Sequence, residues 1–486
     1  MSETKTAVMR DKSDAGYGKA LKNRHIQMIA IGGSIGTGLF LGAGGRLSQG
    51  GPALAVSYAL CGFFALIMVR ALGELTVHRP SSGAFVSYAR EFLGEKAAYV
   101  TGWLFFLDWS VTVMADITAV ALYLRYWAFF DSVPQWVLAT AALAVVFTLN
   151  VFSVKFFGEF EFWFAAIKIF AILSFMVIAI WAILSGAAVG NETAGLHNLV
   201  NHGGFFPMGV LPMFTLSLGV IFAFGGTEMV GVAAGEASEA GEVLPKAINS
   251  MIFRIAFFYV GSVILMTLVL PWTAYSANES PFVTFFAGIG IPHAGDIMQV
   301  VVLTAALSSL NAGLYATGRT LRSLAVAGEA PKIASRLNKH RVPVGGISIT
   351  ALLGLVGVLI NYAYPTRAFE IVMNLAAIGI AGTWISVLVS HWSFVYKSRR
   401  GGTARPGYRL PFAPWSNLAA IIFFAGVIVS MAFDGGGIGR QTLFLFAAVA
   451  VAMVIGWFAV RNRIDPDLMD SLLEGENESL PSAAQE

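Results

Sequence analysis

Long apolar runs dominate the chain, each near the thickness of a bilayer's hydrocarbon core. A helix needs about 20 apolar residues to cross. Runs of that order predict spans near 26–46, 53–75, 98–127, 135–154, 161–185, 210–235, 250–272, 296–320, 343–363, 369–394, 414–433 and 441–460. Pro52, Pro134 and Pro343 stand at or beside three span starts, where the missing N–H of proline is harmless. Trp103, Trp109, Trp127, Trp136, Trp272, Trp384, Trp415 and Trp457 fall mostly toward span ends, as an interfacial belt requires. The pattern predicts an all-α polytopic membrane protein of about 12 transmembrane helices.

Two of these runs are interrupted. Gly32, Gly33, Gly36 and Gly38 fall within seven residues in the middle of the first, each weakening a helix by about 1 kcal/mol relative to Ala. The sixth run is broken by Phe224-Gly225-Gly226-Thr227-Glu228. Backbone freed inside a bilayer is tolerated only where it faces protein or a watery cavity. Glycines at spacing four also let two helices approach closely, so packing and solute binding are both open readings. Paired breaks five spans apart point to discontinuous helices 1 and 6 in a five-plus-five inverted repeat, followed by two further helices. The expected segments are a cytoplasmic lead-in over 1–25, a ten-helix transport core over 26–394, a loop over 395–413, two helices over 414–460 and a tail over 461–486.

Composition agrees: 57% of residues are hydrophobic and 12% charged, about half the charge of a water-soluble chain. Cys61 is the single cysteine, which excludes an intramolecular disulfide or a cysteine metal cluster. The first 25 residues are polar and basic, and no cleavable signal is expected. With both termini inside, every Lys and Arg is cytoplasmic except Arg46, Arg125, Arg367 and Arg440, outside, and Lys168, within a span. The long outer loops 186–209 and 273–295 contain neither residue. That asymmetry sets the orientation.

The breaks carry the candidate chemistry. A half-helix beginning near Gly36 presents free N–H groups and the positive end of its dipole. Ser34, Gly36, Thr37 and Gly38 are therefore the expected carboxylate site. Carbonyls near Ile31 and at Phe222, Ala223 and Gly225 suit an ammonium. Together they describe a site for an α-amino acid zwitterion. Lys168 lies mid-span, at a cost of at least about 2.5–3.5 kcal/mol, and is expected to bind a coupling proton, with Glu228 next in line. Asp116 and Asp108 lie eight apart on the third span, and Asp116 is expected to help set side-chain selectivity. Ser308, Ser309 and Asn311 of the eighth span are the expected partners of Lys168. Glu74 and Glu236 are expected to fix loops by pairing with arginines. No metal-ligand spacing, phosphate loop or catalytic constellation is visible. The expectation is no enzyme, no cofactor, no metal and no nucleic acid, with the chain a monomer or weak oligomer.

Arg24-His25-Ile26-Gln27-Met28 through Gly36-Thr37-Gly38-Leu39-Phe40 resembles the opening signature of the amino acid permease family, in the amino acid–polyamine–organocation superfamily. Gly51-Pro52-Ala53, Ala71-Leu72-Gly73-Glu74-Leu75, Phe224-Gly225-Gly226-Thr227-Glu228 and Ser308-Ser309-Leu310-Asn311-Ala312-Gly313 resemble its later motifs. The resemblance spans about 17–462 and implies proton-coupled amino acid uptake across the inner membrane. It also implies that Lys168 replaces a sodium ion between the first and eighth spans, and that Phe222 is an aromatic lid. Arg79 through Val100, Asp116 through Tyr123, Asn201 through Pro207 and Ser280 through Phe286 resemble the branch that takes L-asparagine. The alternatives are aspartate, another neutral polar or an aromatic amino acid, or a non-transporting amino acid sensor.

Overall fold

A computed structural model of the chain describes residues 35–79, 81, 84–152, 154–229, 231, 240–340, 342–433 and 437–464. Helix dominates it because a bilayer offers the backbone no hydrogen-bond partner of its own. The principal helices are α1 (Thr37–Phe40), α2 (Gly42–Gly50), α3 (Leu54–His78), α4 (Ala84–Leu93), α5 (Glu95–Leu124), α6 (Gln135–Phe152), α7 (Val154–Ser185), α8 (Ser217–Phe224), α9 (Ala240–Arg254), α10 (Ser262–Val269), α11 (Pro281–Gly288), α12 (Ala294–Val326), α13 (Val344–Ala363), α14 (Ala368–Arg399), α15 (Trp415–Ser430) and α16 (Ile438–Val460). Among the described residues, nine helices are long and apolar enough to cross a membrane, and Gln135–Val151 and Leu211–Phe224 are shorter apolar helices. This is a multi-pass membrane protein.

Helix α5 is the central post. It packs on α12, α14, α6, α4 and α13, and nearly its whole length is buried. Helix α7 shows how a lipid-facing helix divides. Glu161, Ala165, Lys168, Ile172, Phe175, Ala179 and Ala182 are buried, while Trp163, Ile167, Phe170, Val177, Trp181 and Leu184 are exposed. Steps of three and four place each set on one face. Only the first turn of α16 is buried, at Ile438, Gly439 and Thr442, and its most apolar stretch has no buried residue, as suits a helix bathed in lipid.

Two short helices fall where only loops were expected. Helix α4 lies between the second and third spans, and α11, with Pro281 in its first turn, lies in the expected outer loop 273–295. Eight to ten residues are too few to register as a span. The other expected outer loop, 186–209, holds a hairpin pairing Ala188–Val189 with Glu192–Thr193. Helix α7 begins seven residues before the expected start at 161.

Glu74 closes the opposite end, and its loop-fixing arginine is Arg405. Glu74 accepts from Arg405 Nε at 2.6 Å and Nη2 at 2.9 Å, from Leu410 N at 2.6 Å, and pairs with His391 Nε2 at 2.9 Å. Asn417 Nδ2 donates to Leu388 O and lies 2.9 Å from His391 Nδ1. That amide therefore donates to the ring, which leaves the proton of a neutral imidazole on Nε2, facing Glu74. Helices α3, α14 and α15 and the preceding loop are joined through one buried carboxylate. Glu236 lies outside the described residues.

Candidate functional site

Helices α1 and α8, which lie at the two expected breaks, pack against each other. Helix α1 begins at Thr37, after Gly36 in extended conformation. The Leu39 and Phe40 N–H groups return to Gly36 O at 3.3 Å. The N–H groups of Thr37 and Gly38 are thus first-turn donors without a helical acceptor. Helix α8 ends at Phe224, and Gly225 turns the chain out at φ −53°, ψ 142°. Gly226 then takes φ +90°, a conformation that glycine reaches without steric cost.

Contact between the halves is closest at Gly38. A Cβ there would stand 2.5 Å from Ala223 Cα, 2.9 Å from Ala223 N and 3.0 Å from Phe222 Cδ1. At Gly36 the added atom would meet only the Ser309 side chain, Oγ at 3.5 Å and Cβ at 3.8 Å. The packing and solute readings of the glycines therefore divide between two positions. Gly38 lets the helices touch, and Gly36 leaves its backbone open.

A cavity lies between these ends, lined by Gly36, Thr37, Gly38, Asp108, Trp109, Thr112, Phe222, Ala223, Gly225, Gly226, Ser309 and Ile380. Its volume is about 20 Å³, room for about one water. The site is closed in this conformation. Ile31 and Ser34 lie outside the described residues. Of the other expected residues, Gly36, Thr37, Gly38, Phe222, Ala223, Gly225 and Ser309 line it, while Asp116, Lys168, Glu228, Ser308 and Asn311 do not.

Asp116 is placed differently from the expectation. It does not line the cavity; its Oδ1 accepts from Thr37 Oγ1 at 2.8 Å, tying α5 to α1. Eight helical residues turn through about 800°, leaving Asp108 and Asp116 roughly 80° apart and about 12 Å apart along the axis. Asp108 is the carboxylate in the wall, 3% exposed, with Thr112 Oγ1 at 3.5 Å. Beside it Trp109 has a buried indole N–H without a hydrogen-bond partner among the described residues. Buried polar groups are nearly always bonded, so that donor is one a solute can use. Trp109, Thr112 and Ile380 were not singled out as site residues, and no local motif marks them; Gly226 belongs to the sixth-span break but was not named for the site.

Glu228 sits behind the sixth-span break. Its Oε1 accepts from Gly226 N at 3.1 Å and its Oε2 from Trp384 Nε1 at 3.2 Å. The carboxylate thus holds backbone freed by the break.

Lys168 is fully buried on the inner face of α7, and its Nζ donates to Ser308 Oγ at 2.9 Å. The Ser308 hydroxyl in turn points at Glu161, with both carboxylate oxygens at 2.9 Å. Asn311 faces Glu161 as well, its own Oδ1 held by Asn150 Nδ2 at 2.8 Å. Glu161 was not expected. It had been placed at the start of a span, where a carboxylate reads as interfacial. Its spacing of seven from Lys168, two helical turns on one face, was the available signal. Ser309 lines the cavity on the other side of α12.

Arg46 of α2 is buried. Its Nη1 donates to Gly42 O at 3.0 Å and to Met373 Sδ at 3.1 Å, and its Nε to Leu216 O at 3.2 Å. The guanidinium lies across Gly219, where any side chain would collide with it. One cation thereby links α2, the segment preceding α8, and α14.

Comparison with known proteins agrees with this architecture. The amino acid permease family model matches residues 25–469. The L-asparagine permease of Streptomyces coelicolor is 53% identical over 454 residues, covering 93% of each chain. The L-asparagine permease of Escherichia coli is 52% identical over 451 residues, covering 93% of this chain and 90% of its own. L-asparagine permease 1 of Mycobacterium tuberculosis is 51% identical, covering 93% and 92%. With a helix that begins at Thr37, another that ends at Phe224 and a family match over its whole described length, the chain belongs to the amino acid permease family.

Proposed function

We propose that the protein imports L-asparagine together with a proton, by alternating access across the cytoplasmic membrane, with both termini inside. Twelve spans, ten of them in a five-plus-five inverted repeat over 26–394 and two more over 414–460, form the frame of this reading. The observation that carries it is the cavity between α1 and α8, walled by a donor and an acceptor side by side on α5. The free first-turn N–H groups of Thr37 and Gly38 take the α-carboxylate. Carbonyls at the end of α8, near Phe222 and Ala223, take the ammonium. Asp108 accepts from the side-chain amide NH2, and the Trp109 indole N–H donates to the amide oxygen. Aspartate would set a second carboxylate against Asp108, whose like charge is unfavourable in a buried site. Selectivity for the amide is thus assigned to Asp108 and Trp109, with Asp116 holding Thr37 in place.

Closure belongs to the same cycle. A 20 Å³ cavity admits no amino acid, so Phe222 and Trp109 must part before binding. Arg46, gripping α2, α8's approach and α14, closes the outer path in this conformation. Lys168 is the proton site. Charged, it donates to Ser308 on α12; neutral, it loses that charge and weakens the tie between spans. A protonation change then biases one access state over the other.

The test is uptake of labelled L-asparagine into vesicles holding the purified protein, with and without an inward proton gradient. Accumulation only with the gradient, competed by unlabelled asparagine and weakly by aspartate, is expected. Gradient-independent binding without uptake would make the protein a sensor and defeat the reading.

A further inference from the structure

We propose that Glu161 is a second proton-binding residue, which receives the coupling proton from Lys168 through the Ser308 hydroxyl. This rests on the reading of Lys168 as the coupling site. The geometry is a continuous buried chain. Glu161, Lys168 and Ser308 are each 1% exposed. Lys168 Nζ stands 2.9 Å from Ser308 Oγ, and Ser308 Oγ stands 2.9 Å from both Glu161 oxygens. An ammonium has only donors to offer and a carboxylate only acceptors. Between them the hydroxyl can adopt one polarity: it accepts from Lys168 and donates to Glu161.

That polarity is the starting state of a relay. Ser308 gives its proton to Glu161 as it takes one from Lys168. The N–H bond of the ammonium breaks, an O–H bond forms on Glu161, and the serine is regenerated. The pair passes from ammonium and carboxylate to amine and carboxylic acid, with protons and charge conserved. Two opposite buried charges become two neutral groups, which removes the desolvation cost of both at once. Glu161 lies seven residues before Lys168 on α7, about 10 Å along the axis. With the amino terminus inside, that displacement is toward the cytoplasm, so the relay moves the proton inward.

The surroundings fit a group that changes protonation. Asn311 turns its amide to Glu161, and its amide oxygen is occupied by Asn150. The other carboxylate acting on Lys168 is Asp116, from α5. Its Oδ1 is engaged by Thr37, and Tyr123 is the neighbour it acts on from its own helix. Asp116 therefore faces the substrate helix and Glu161 the opposite end of α7. Two carboxylates thus act on the ammonium, Glu161 from its own helix and Asp116 from α5.

The test uses the full-length protein in vesicles with the membrane voltage clamped. One pH unit, acid outside, sustains at most about a tenfold accumulation for one proton per substrate. Labelled L-asparagine accumulation and counterflow at symmetrical pH are measured for the parent, Glu161→Gln, Glu161→Asp, Ser308→Ala and Lys168→Ala. Glu161→Gln is expected to lose accumulation, falling toward unity, while counterflow remains measurable. Glu161→Asp is expected to accumulate, with its dependence on internal pH displaced. Parent-like accumulation by Glu161→Gln, with Lys168→Ala deficient, overturns the role of Glu161 and leaves Lys168 standing. Equal loss of counterflow and accumulation in Glu161→Gln also overturns it, since a structural prop would behave so. If Lys168→Ala accumulates as the parent does, or the parent ignores the gradient, the coupling reading itself falls and this one with it. Should Glu161→Gln fail to reach the membrane, Ser308→Ala decides: loss of accumulation with counterflow supports the relay, and parent-like accumulation refutes it.

Discussion

Replacing Gly38 with alanine adds one carbon atom where α1 packs against the end of α8. That carbon would lie 2.5 Å from Ala223 Cα and 2.9 Å from Ala223 N. Carbon atoms rest about 3.5–4.0 Å apart, so α1 and α8 must separate by about 1 Å. Both obstacles are backbone, and no rotamer change removes them. Overpacking of this kind costs about 1–3 kcal/mol, against the closed conformation in particular. At 1.4 kcal/mol per factor of ten, initial uptake should fall about 5- to 150-fold. Gly36→Ala is the control, because its Cβ meets Ser309 Oγ at an ordinary 3.5 Å. Its thermal stability in detergent should match the parent's, as for substitutions that disturb no packing, because the added atom enters the cavity and not a helix contact. A third variant sharpens the argument: adding Ala223→Gly should not rescue Gly38→Ala, since the clash is with atoms glycine retains. The assay is the initial rate of labelled asparagine uptake, normalised to protein in the membrane. Parent-like uptake by Gly38→Ala, or rescue by Ala223→Gly, would refute the packing account. Loss of thermal stability in Gly36→Ala equal to that in Gly38→Ala would return both glycines to a single shared role.

Three further outcomes follow from the side-chain geometry. Asp108→Asn should narrow the preference for asparagine over aspartate by about 1.5–3 kcal/mol, the worth of a hydrogen bond to a charged group; an unchanged competition ratio removes Asp108 from the selectivity site. Glu74→Gln should lower thermal stability in detergent, since breaking a buried pair costs about 3–5 kcal/mol and Arg405 would lose its carboxylate partner; a melting curve like the parent's contradicts that. Glu329 pairs with Arg90 at 3.1 Å just beyond α12, and burial pushes its carboxyl from 4.5 up to about 7 despite that arginine. A carboxyl that holds its proton more tightly when folded makes stability fall as pH rises from 4.5 to about 7, by up to roughly 3 kcal/mol. Glu329→Gln should flatten that part of the stability profile, and a variant slope equal to the parent's would refute it.

The helices were legible because a bilayer demands about 20 apolar residues in a row, a signal needing no knowledge of tertiary contacts. α5, α12, α13 and α14 lie within a few residues of the expected spans. What the pattern could not show was the short helix that spans nothing. α4 and α11 are held by neighbours, and no length rule marks them. The first break was legible as a break, but its glycines were not separable. Only the distance from Gly38 to Ala223, 185 positions along the chain, assigns one to packing.

Buried polar residues follow a different logic. Lys168 stood out because a charge in an apolar run is costly, and cost implies a partner. The partner's identity is a tertiary fact: Ser308 comes from 140 residues away, and Arg405 meets Glu74 across 331. Glu161 was the recoverable case. Once Lys168 is taken to face inward, positions 161, 165, 172 and 175 must face inward with it. The only charged residue among those four is Glu161. Asp108 and Asp116 mark the opposite limit of the same reasoning. A spacing of eight looks like one face, yet the accumulated turn of about 80° is enough to place one carboxylate in the cavity wall and the other behind it. Periodicity thus carries a residue reliably across two turns and loses it when the remainder exceeds the width of a side chain. The Glu161–Lys168 pair on α7 lies within that limit, and the Asp108–Asp116 pair on α5 lies beyond it.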